Sequence, residues 1–315
     1  MHLRSFYARG LVILLAASVV AGADNAPQGT AAPPLPTSLP AEQIEVREGI
    51  TYAQPRGTIL NLDMASPKIG DGPYPAVVCL FGGGWISGSR AGMRERIRYI
   101  AAHGYVAVAP SYRLAPEHSF PAAVADVREC VRWLRRHARE YNIDPQHIGA
   151  MGLSAGGHLA CMIGLTADTD RFGEDYVAEQ GASARVQAVV NFFGPGNMAS
   201  KDWSALAVRK YLVPFLGGTA EEHPDDYRKA SPITYISSDD PPILTFQGDQ
   251  DRTVPISLSV ELHERLTQAG VAEELVIVEG QGHGWREPHR SRTRRQMINF
   301  LDTHLKGQKP TTDRE

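Results

Sequence analysis

The chain is poor in cysteine, carries no excess of one charge sign, and has no long apolar run beyond its first two dozen residues. Only 3 cysteines occur in 315 residues, at 79, 130 and 161. So small and odd a number excludes a disulfide framework, and no spacing among them is that of a metal knuckle. Cys79 sits in a strand-like run, Cys130 and Cys161 in helix-like ones, where a free buried thiol is the expected state. A Cys130–Cys161 bridge is the alternative in an oxidising compartment. None of the three has the basic or glycine-rich setting of a thiolate nucleophile. Lys and Arg together number 32 and Asp and Glu 35, a net charge of −3. That balance gives no footprint for nucleic acid or for an anionic membrane surface. There is no internal repeat and no H-E-x-x-H, and the acids and histidines do not cluster at ligand spacing, so no metal and no cofactor is expected.

What is present begins with an export-like leader. Arg4 and Arg9 precede the apolar residues 11–20, and Ala21-Gly22-Ala23 follows. Charge, a short apolar stretch and small residues in that order read as a signal peptide over 1–23. The stretch is short for a membrane span, so no stable span is expected after cleavage. An uncleaved anchor is the alternative. The expected location is secreted or periplasmic. Residues 24–43 hold Pro27, Pro33, Pro34, Pro36 and Pro40 among alanines, the composition of an extended linker. Residues 308–315 read as a polar tail.

Between linker and tail, strand and helix patterns alternate. Residues 44–52 and 58–64 alternate apolar and polar, like an antiparallel pair at a sheet edge. Short continuous apolar runs follow at 75–81, 105–109, 148–153, 186–193, 243–247 and 275–278, as in strands buried on both faces. Helical patterns fall at 93–102, 122–141, 155–166, 257–269 and 289–305. This rhythm predicts an α/β fold with a mostly parallel central sheet covered by helices on both faces. Ligand sites in such sheets lie beyond the carboxyl ends of the strands. Residues 194–240 break the rhythm. They are too long for a simple connection and are read as a small inserted cap.

Each motif that can carry chemistry follows a strand. Gly152-Leu153-Ser154-Ala155-Gly156 is a G-x-S-x-G with a strand-like lead-in and a helix-like exit, which is the setting a nucleophile elbow needs. Phe81-Gly82-Gly83-Gly84-Trp85 offers backbone N–H groups to a developing oxyanion. Gly83 and Gly84 are the expected donors with Ala155, and Gly82 or Trp85 are alternatives. No Lys-Ser/Thr follows these glycines, as a phosphate-binding loop would require. Gly248-Asp249-Gln250-Asp251 places a carboxylate where it can orient an imidazole. Asp251 is the first choice and Asp249 the competitor, whose expected job is an Asx turn. Gly280-Gln281-Gly282-His283-Gly284-Trp285 supplies a general base in a glycine-flanked loop. Phe81, Trp85 and Trp285 are the expected pocket residues, with packing beneath the glycine loop as the alternative for Phe81. His103, His137, His147 and His158 are read as packing or surface residues, and the arginines from 286 to 295 as a solvated helix face.

The order Ser154, Asp251, His283 and the motifs around it resemble the α/β-hydrolase enzymes. The resemblance runs from about residue 44 to 305 and places one such domain over 44–307. Ser111-Tyr112-Arg113-Leu114-Ala115-Pro116-Glu117-His118 is similar to the hormone-sensitive-lipase-type esterases. The Gly-Gly-Gly-Trp loop and the compact Asp251–His283 segment are more similar to bacterial feruloyl- and acetylxylan-esterase-like carboxylesterases. The resemblance implies hydrolysis of carboxylic esters through an acyl-enzyme, on short-chain or plant cell-wall acetyl or feruloyl esters, small or polysaccharide-linked. It assigns the Tyr-Arg-Leu-Ala-Pro-Glu segment to support of the oxyanion loop. A serine peptidase similar to prolyl oligopeptidase, and an inactive hydrolase-fold binding module, are the competing readings. Both esterase groups usually carry histidine where this chain has Phe81, and phenylalanine cannot make that residue's hydrogen bonds. Oligomeric state is not legible.

Overall fold

A computed structural model describes residues 38–166, 172, 176 and 182–308. The described residues all fall in one unit that begins at Leu35. The expected signal peptide over 1–23, most of the proline-rich stretch and nearly all of the expected polar tail lie outside them. The end of the expected linker is joined to the domain: Leu39 is buried and its N–H bonds to the Ala102 carbonyl at 2.6 Å. Among the described residues no helix is long and apolar enough to cross a membrane.

Eight strands form one sheet: β1 (Ile44–Ala53), β2 (Leu60–Pro67), β3 (Tyr74–Leu80), β4 (Val106–Pro110), β5 (Ile143–Leu153), β6 (Ala188–Phe192), β7 (Ile243–Gly248) and β8 (Glu273–Val278). Their order is β1-β2-β4-β3-β5-β6-β7-β8. β1 and β2 pair antiparallel, as does β2 with β4, and every later pairing is parallel. This is the α/β-hydrolase fold. Strands β3, β4, β6 and β7 are made almost wholly of buried residues, and β5 is buried from Ile148 to Gly152. Helices on both faces remove them from water, which is why they read as unbroken apolar runs.

Helices α1 (Arg94–Ala102), α2 (Ala122–Arg136), α3 (Ala155–Leu165), α7 (Ile256–Ala269) and α8 (His289–Lys306) connect and flank the strands. Every residue of α3 is buried, so its sequence is apolar all round instead of striped. α2 stops five residues short of the pattern at 122–141, because residues after Arg136 turn back to enter β5. The stretch between β6 and β7 holds α4 (Ala205–Ala207), a π turn (Val208–Leu212), α5 (Val213–Leu216) and α6 (Pro224–Lys229). Leu212, Phe215 and Ala230 are buried there. The three cysteines are free and buried, so the Cys130–Cys161 bridge is not formed. Burial pushes the Cys79 and Cys161 thiols up to about 12, far from a reactive thiolate.

The switch in strand order decides where chemistry can sit. The chain leaves β3 toward β4 on one side, and β5 then lies on the other. Leu80 is paired with Gly152. The glycine loop after β3 and the serine turn after β5 therefore emerge side by side, at the crevice where such sheets bind ligands.

Candidate active site

Ser154 stands at the turn from β5 into α3 with φ 52° and ψ −119°. A non-glycine residue held there costs about 1–3 kcal/mol and needs its surroundings to enforce it. The flanking glycines are steric requirements of this turn. A Cβ on Gly152 would lie 2.1 Å from the Gly156 carbonyl oxygen, and one on Gly156 would lie 2.2 Å from that of Leu80. The Ser154 N–H bonds to the Phe192 carbonyl at 2.8 Å, which fixes the turn to β6.

The three expected catalytic side chains meet. The Ser154 hydroxyl donates to His283 Nε2 at 2.8 Å, and His283 Nδ1–H donates to Asp251 Oδ2 at 2.7 Å. The carboxylate side chain is fully buried, the imidazole 24% exposed. Asp251 Oδ1 accepts the N–H groups of Thr253 and Val254 at 2.8 and 3.0 Å, and Gln247 Nε2 donates to Oδ2 at 3.1 Å. Burial would raise this carboxyl, but the hydrogen bond and charge of His283 and the two backbone donors outweigh it and hold it below its ordinary value. An ionised Asp251 accepts only, so the imidazole proton lies on Nδ1 and Nε2 is the free base. Asp249 is not in this array. The Asx turn expected of it is absent: its Oδ1 is buried without a partner among the described residues, and Asp251 holds the turn instead.

The glycine loop lies against the nucleophile. A Cβ on Gly82 would sit 3.2 Å from Ser154 Cβ. Gly83 and Gly84 have φ of 132° and 62°, and no hydrogen bond among the described residues occupies their N–H groups. Ala155 opens α3, so its N–H is one of the donors a helix start leaves free. The loop is closed by Ile86 and Ser87, whose N–H groups bond to the Gly83 carbonyl.

Phe81 does not line the pocket and takes the alternative place beneath the loop. Its ring stacks on Tyr112 at 4.1 Å beneath the loop, and the Tyr112 hydroxyl donates to the Phe81 carbonyl at 2.8 Å. The Ala115 N–H bonds to the Trp85 carbonyl at 3.0 Å. Tyr112 and Ala115 thus hold the loop from below. Trp285 does not line the pocket either: its indole donates to Thr293 on α8 and packs edge-on against Phe193. Trp85 does line it.

One brace was not legible. Trp85 Nε1–H donates to His158 Nδ1 at 3.1 Å, and His158 Nε2–H donates to the Ala230 carbonyl at 2.8 Å. His158, read from sequence as a packing residue, therefore ties the glycine loop to α3 and to the chain beyond α6. Burial lowers it to about 4, so it is neutral and this tautomer is the one both bonds require.

The cavity over Ser154 has a volume of about 400 Å³. Trp85, Leu153, Phe193, Trp203, Lys210 and Tyr211 are among its walls. Trp203, Lys210 and Tyr211 come from the stretch between β6 and β7, whose lack of periodicity hid their side-chain directions. A larger cavity, about 750 Å³, lies among Arg113, Phe120 and Tyr235, and no triad residue lines it. Among the described residues no group of acids, histidines or cysteines can hold a metal ion.

A family model described as BD-FAE matches residues 62–266, and one described as TAP-like protein matches 222–315. Esterase LipC of Mycobacterium tuberculosis is 32% identical over 226 residues, 68% of this chain and 53% of that protein. The chain spans about half the length of the curated relatives it matches. Among solved structures, a truncated carbohydrate esterase from gut microbiota superposes with a TM-score of 0.71 at 26% identity, covering 85% of this chain and 99% of that one. A thermophilic esterase of Thermogutta terrifontis with butyrate bound gives 0.68 at 30% identity, covering 83% and 94%.

Proposed function

Because the chain belongs to the BD-FAE family and has the α/β-hydrolase fold, we propose that it is a carboxylic ester hydrolase working through Ser154, His283 and Asp251. The observation that carries this is the unbroken relay from Ser154 Oγ through the imidazole to a buried carboxylate. His283 Nε2 takes the hydroxyl proton as Ser154 Oγ attacks the ester carbonyl. The negative oxygen settles on N–H groups of Gly83 or Gly84 and of Ala155, donors already fixed before the charge appears. Asp251 stabilises the imidazolium without taking its proton. The imidazolium protonates the departing alcohol, and water, activated by the same nitrogen, releases the acid from Ser154.

Short acyl groups fit the cavity of about 400 Å³ over Ser154. A relative with butyrate bound, and another described as a carbohydrate esterase, support short-chain or cell-wall acetyl esters as the substrate class. The leader over 1–23 suits export to the compartment where such esters occur.

Ser154→Ala is expected to lower kcat on 4-nitrophenyl butyrate by at least about 10⁴-fold, with circular dichroism unchanged and labelling by a fluorophosphonate lost. Retention of turnover or of labelling would sink the assignment. Turnover of aminoacyl 4-nitroanilides in preference to esters would point to a peptidase instead.

A further inference from the structure

Beside the catalytic cavity lies a second, smaller cleft of about 110 Å³. Leu153 and Phe193 line both. The cleft is also lined by Arg96 from α1 and by Arg290 and Arg294 from α8, with no Asp or Glu among its walls. The sequence reads the arginines of α8 as a solvated face. Arg294 turns instead toward this cleft, and Arg290 stands half exposed at its rim.

The ion-pair inventory leaves charge uncompensated there. Arg290 Nε meets Glu287 at 3.0 Å, with both side chains about half exposed. Arg294 Nη2 meets Glu95 at 3.0 Å, but Glu95 is 75% exposed and the Arg294 Nε is buried without a hydrogen-bond partner among the described residues. Arg96 makes no ion pair or hydrogen bond among them and feels Glu95 only through its charge. Its guanidinium stands over the Phe192 ring at 5.5 Å. Burial and then the charge of Arg294 depress Arg96 to about 10, so it remains charged at neutral pH. Three guanidinium groups facing two exposed carboxylates leave a net positive cleft. Guanidinium is weakly hydrated and its planar donors match the oxygens of carboxylate and phosphate.

We propose that this cleft is a binding site for a small oxyanion, a carboxylate or phosphate group, held by Arg96 and Arg294 next to the cavity that contains Ser154. The oxyanion is either part of an ester substrate or free in solution, and two measurements separate these sources. The first rests on the ester-hydrolase reading and the second does not.

In the first, 4-nitrophenyl hemiesters of succinate, glutarate and adipate are compared with their methyl-capped counterparts. A substrate-borne anion predicts a KM lower by about tenfold for the charged member of at least one pair. That advantage disappears in Arg96→Met while turnover of 4-nitrophenyl acetate is unchanged. In the second, inorganic phosphate is titrated calorimetrically. A free-anion site predicts saturable binding that is lost in Arg96→Met and retained in part in Arg96→Lys. Arg290→Gln, at the exposed rim, gives a weaker version of either effect and guards against a folding defect in the Arg96 variants. If hemiesters have no advantage and phosphate does not bind, or if both effects survive loss of Arg96, the proposal is overturned. Should the wild-type protein cleave no ester, the phosphate titration still decides the matter and only the hydrolase reading fails.

Discussion

Asp251 Oδ1 accepts two backbone N–H groups while Oδ2 faces the imidazole, so one carboxylate both shapes its own turn and fixes the histidine tautomer. Replacing it by asparagine preserves the shape and removes the charge. An amide facing His283 would favour the tautomer with its proton on Nε2, and Ser154 would lose its base. Asp251→Asn is therefore expected to lower kcat on 4-nitrophenyl butyrate by about 10⁴-fold with little change in KM. A loss below tenfold would mean that the carboxylate does not orient the imidazole. The sequence placed serine, histidine and a carboxylate at strand ends, but it left two aspartates two positions apart in competition. What separates them is the turn after β7, which buries Asp249 Oδ1 unpaired and aims Asp251 at His283. A turn of that kind is set by backbone dihedrals, and residue types alone do not specify them. Likewise the sequence offers Trp285 as a pocket residue. Its indole instead finds a buried acceptor on α8, a partner no local pattern announces.

At the scale of elements, the glycine loop is held by pieces of chain remote in sequence. Tyr112 and Ala115, from the segment after β4, bond to the carbonyls of Phe81 and Trp85. That segment is itself anchored to α2. Asp126 accepts Arg113 through the backbone N–H at 2.8 Å, through Nε at 3.0 Å and through Nη2 at 2.6 Å, and it also accepts the Tyr176 hydroxyl. Both side chains of the pair are almost wholly buried. Removing the acid would strand a guanidinium in the interior, which typically costs about 3–5 kcal/mol. Asp126→Ala is expected to lose stability of that order in urea unfolding, and a loss under about 1 kcal/mol would show that water already screens the pair. The strands and the long helices were legible because their burial follows periodicity. The bracing of the loop was not, since Trp85 and His158 are 73 positions apart and become neighbours only when β3 and β5 pair. Histidine at 81 would have been the recognisable brace. Here Tyr112 and His158 divide that task.

For the whole molecule, the consequence of these buried groups is a dependence of stability on pH with a definite sign. His158 is lowered to about 4 by burial, despite the bond it donates to Ala230. Asp251 and Asp63 are also lowered: burial opposes this, but His283 in one case and Arg90, Gly49 and Arg94 in the other prevail. All three bind fewer protons in the native state than in the unfolded chain, so the native state loses ground as pH falls. The windows differ. The carboxylates act only below their ordinary value of 3.8, whereas His158 acts from its ordinary value of 6.5 down to about 4. The first loss of stability on acidification therefore comes from buried histidines and not from the acids; burial lowers His103 and His304 too, but His158 is the one carried down to about 4. Between pH 7.5 and 4.5 that single group removes roughly 2–3 kcal/mol. Urea midpoints measured across this range should fall steadily for the wild-type protein and much less for His158→Gln, which cannot take up a proton. Its side chain can keep only one of the two bonds, so the variant starts from a lower plateau at neutral pH and crosses toward the wild type as the solution is acidified. Parallel curves for the two proteins would show that His158 is not the group whose protonation drives the change.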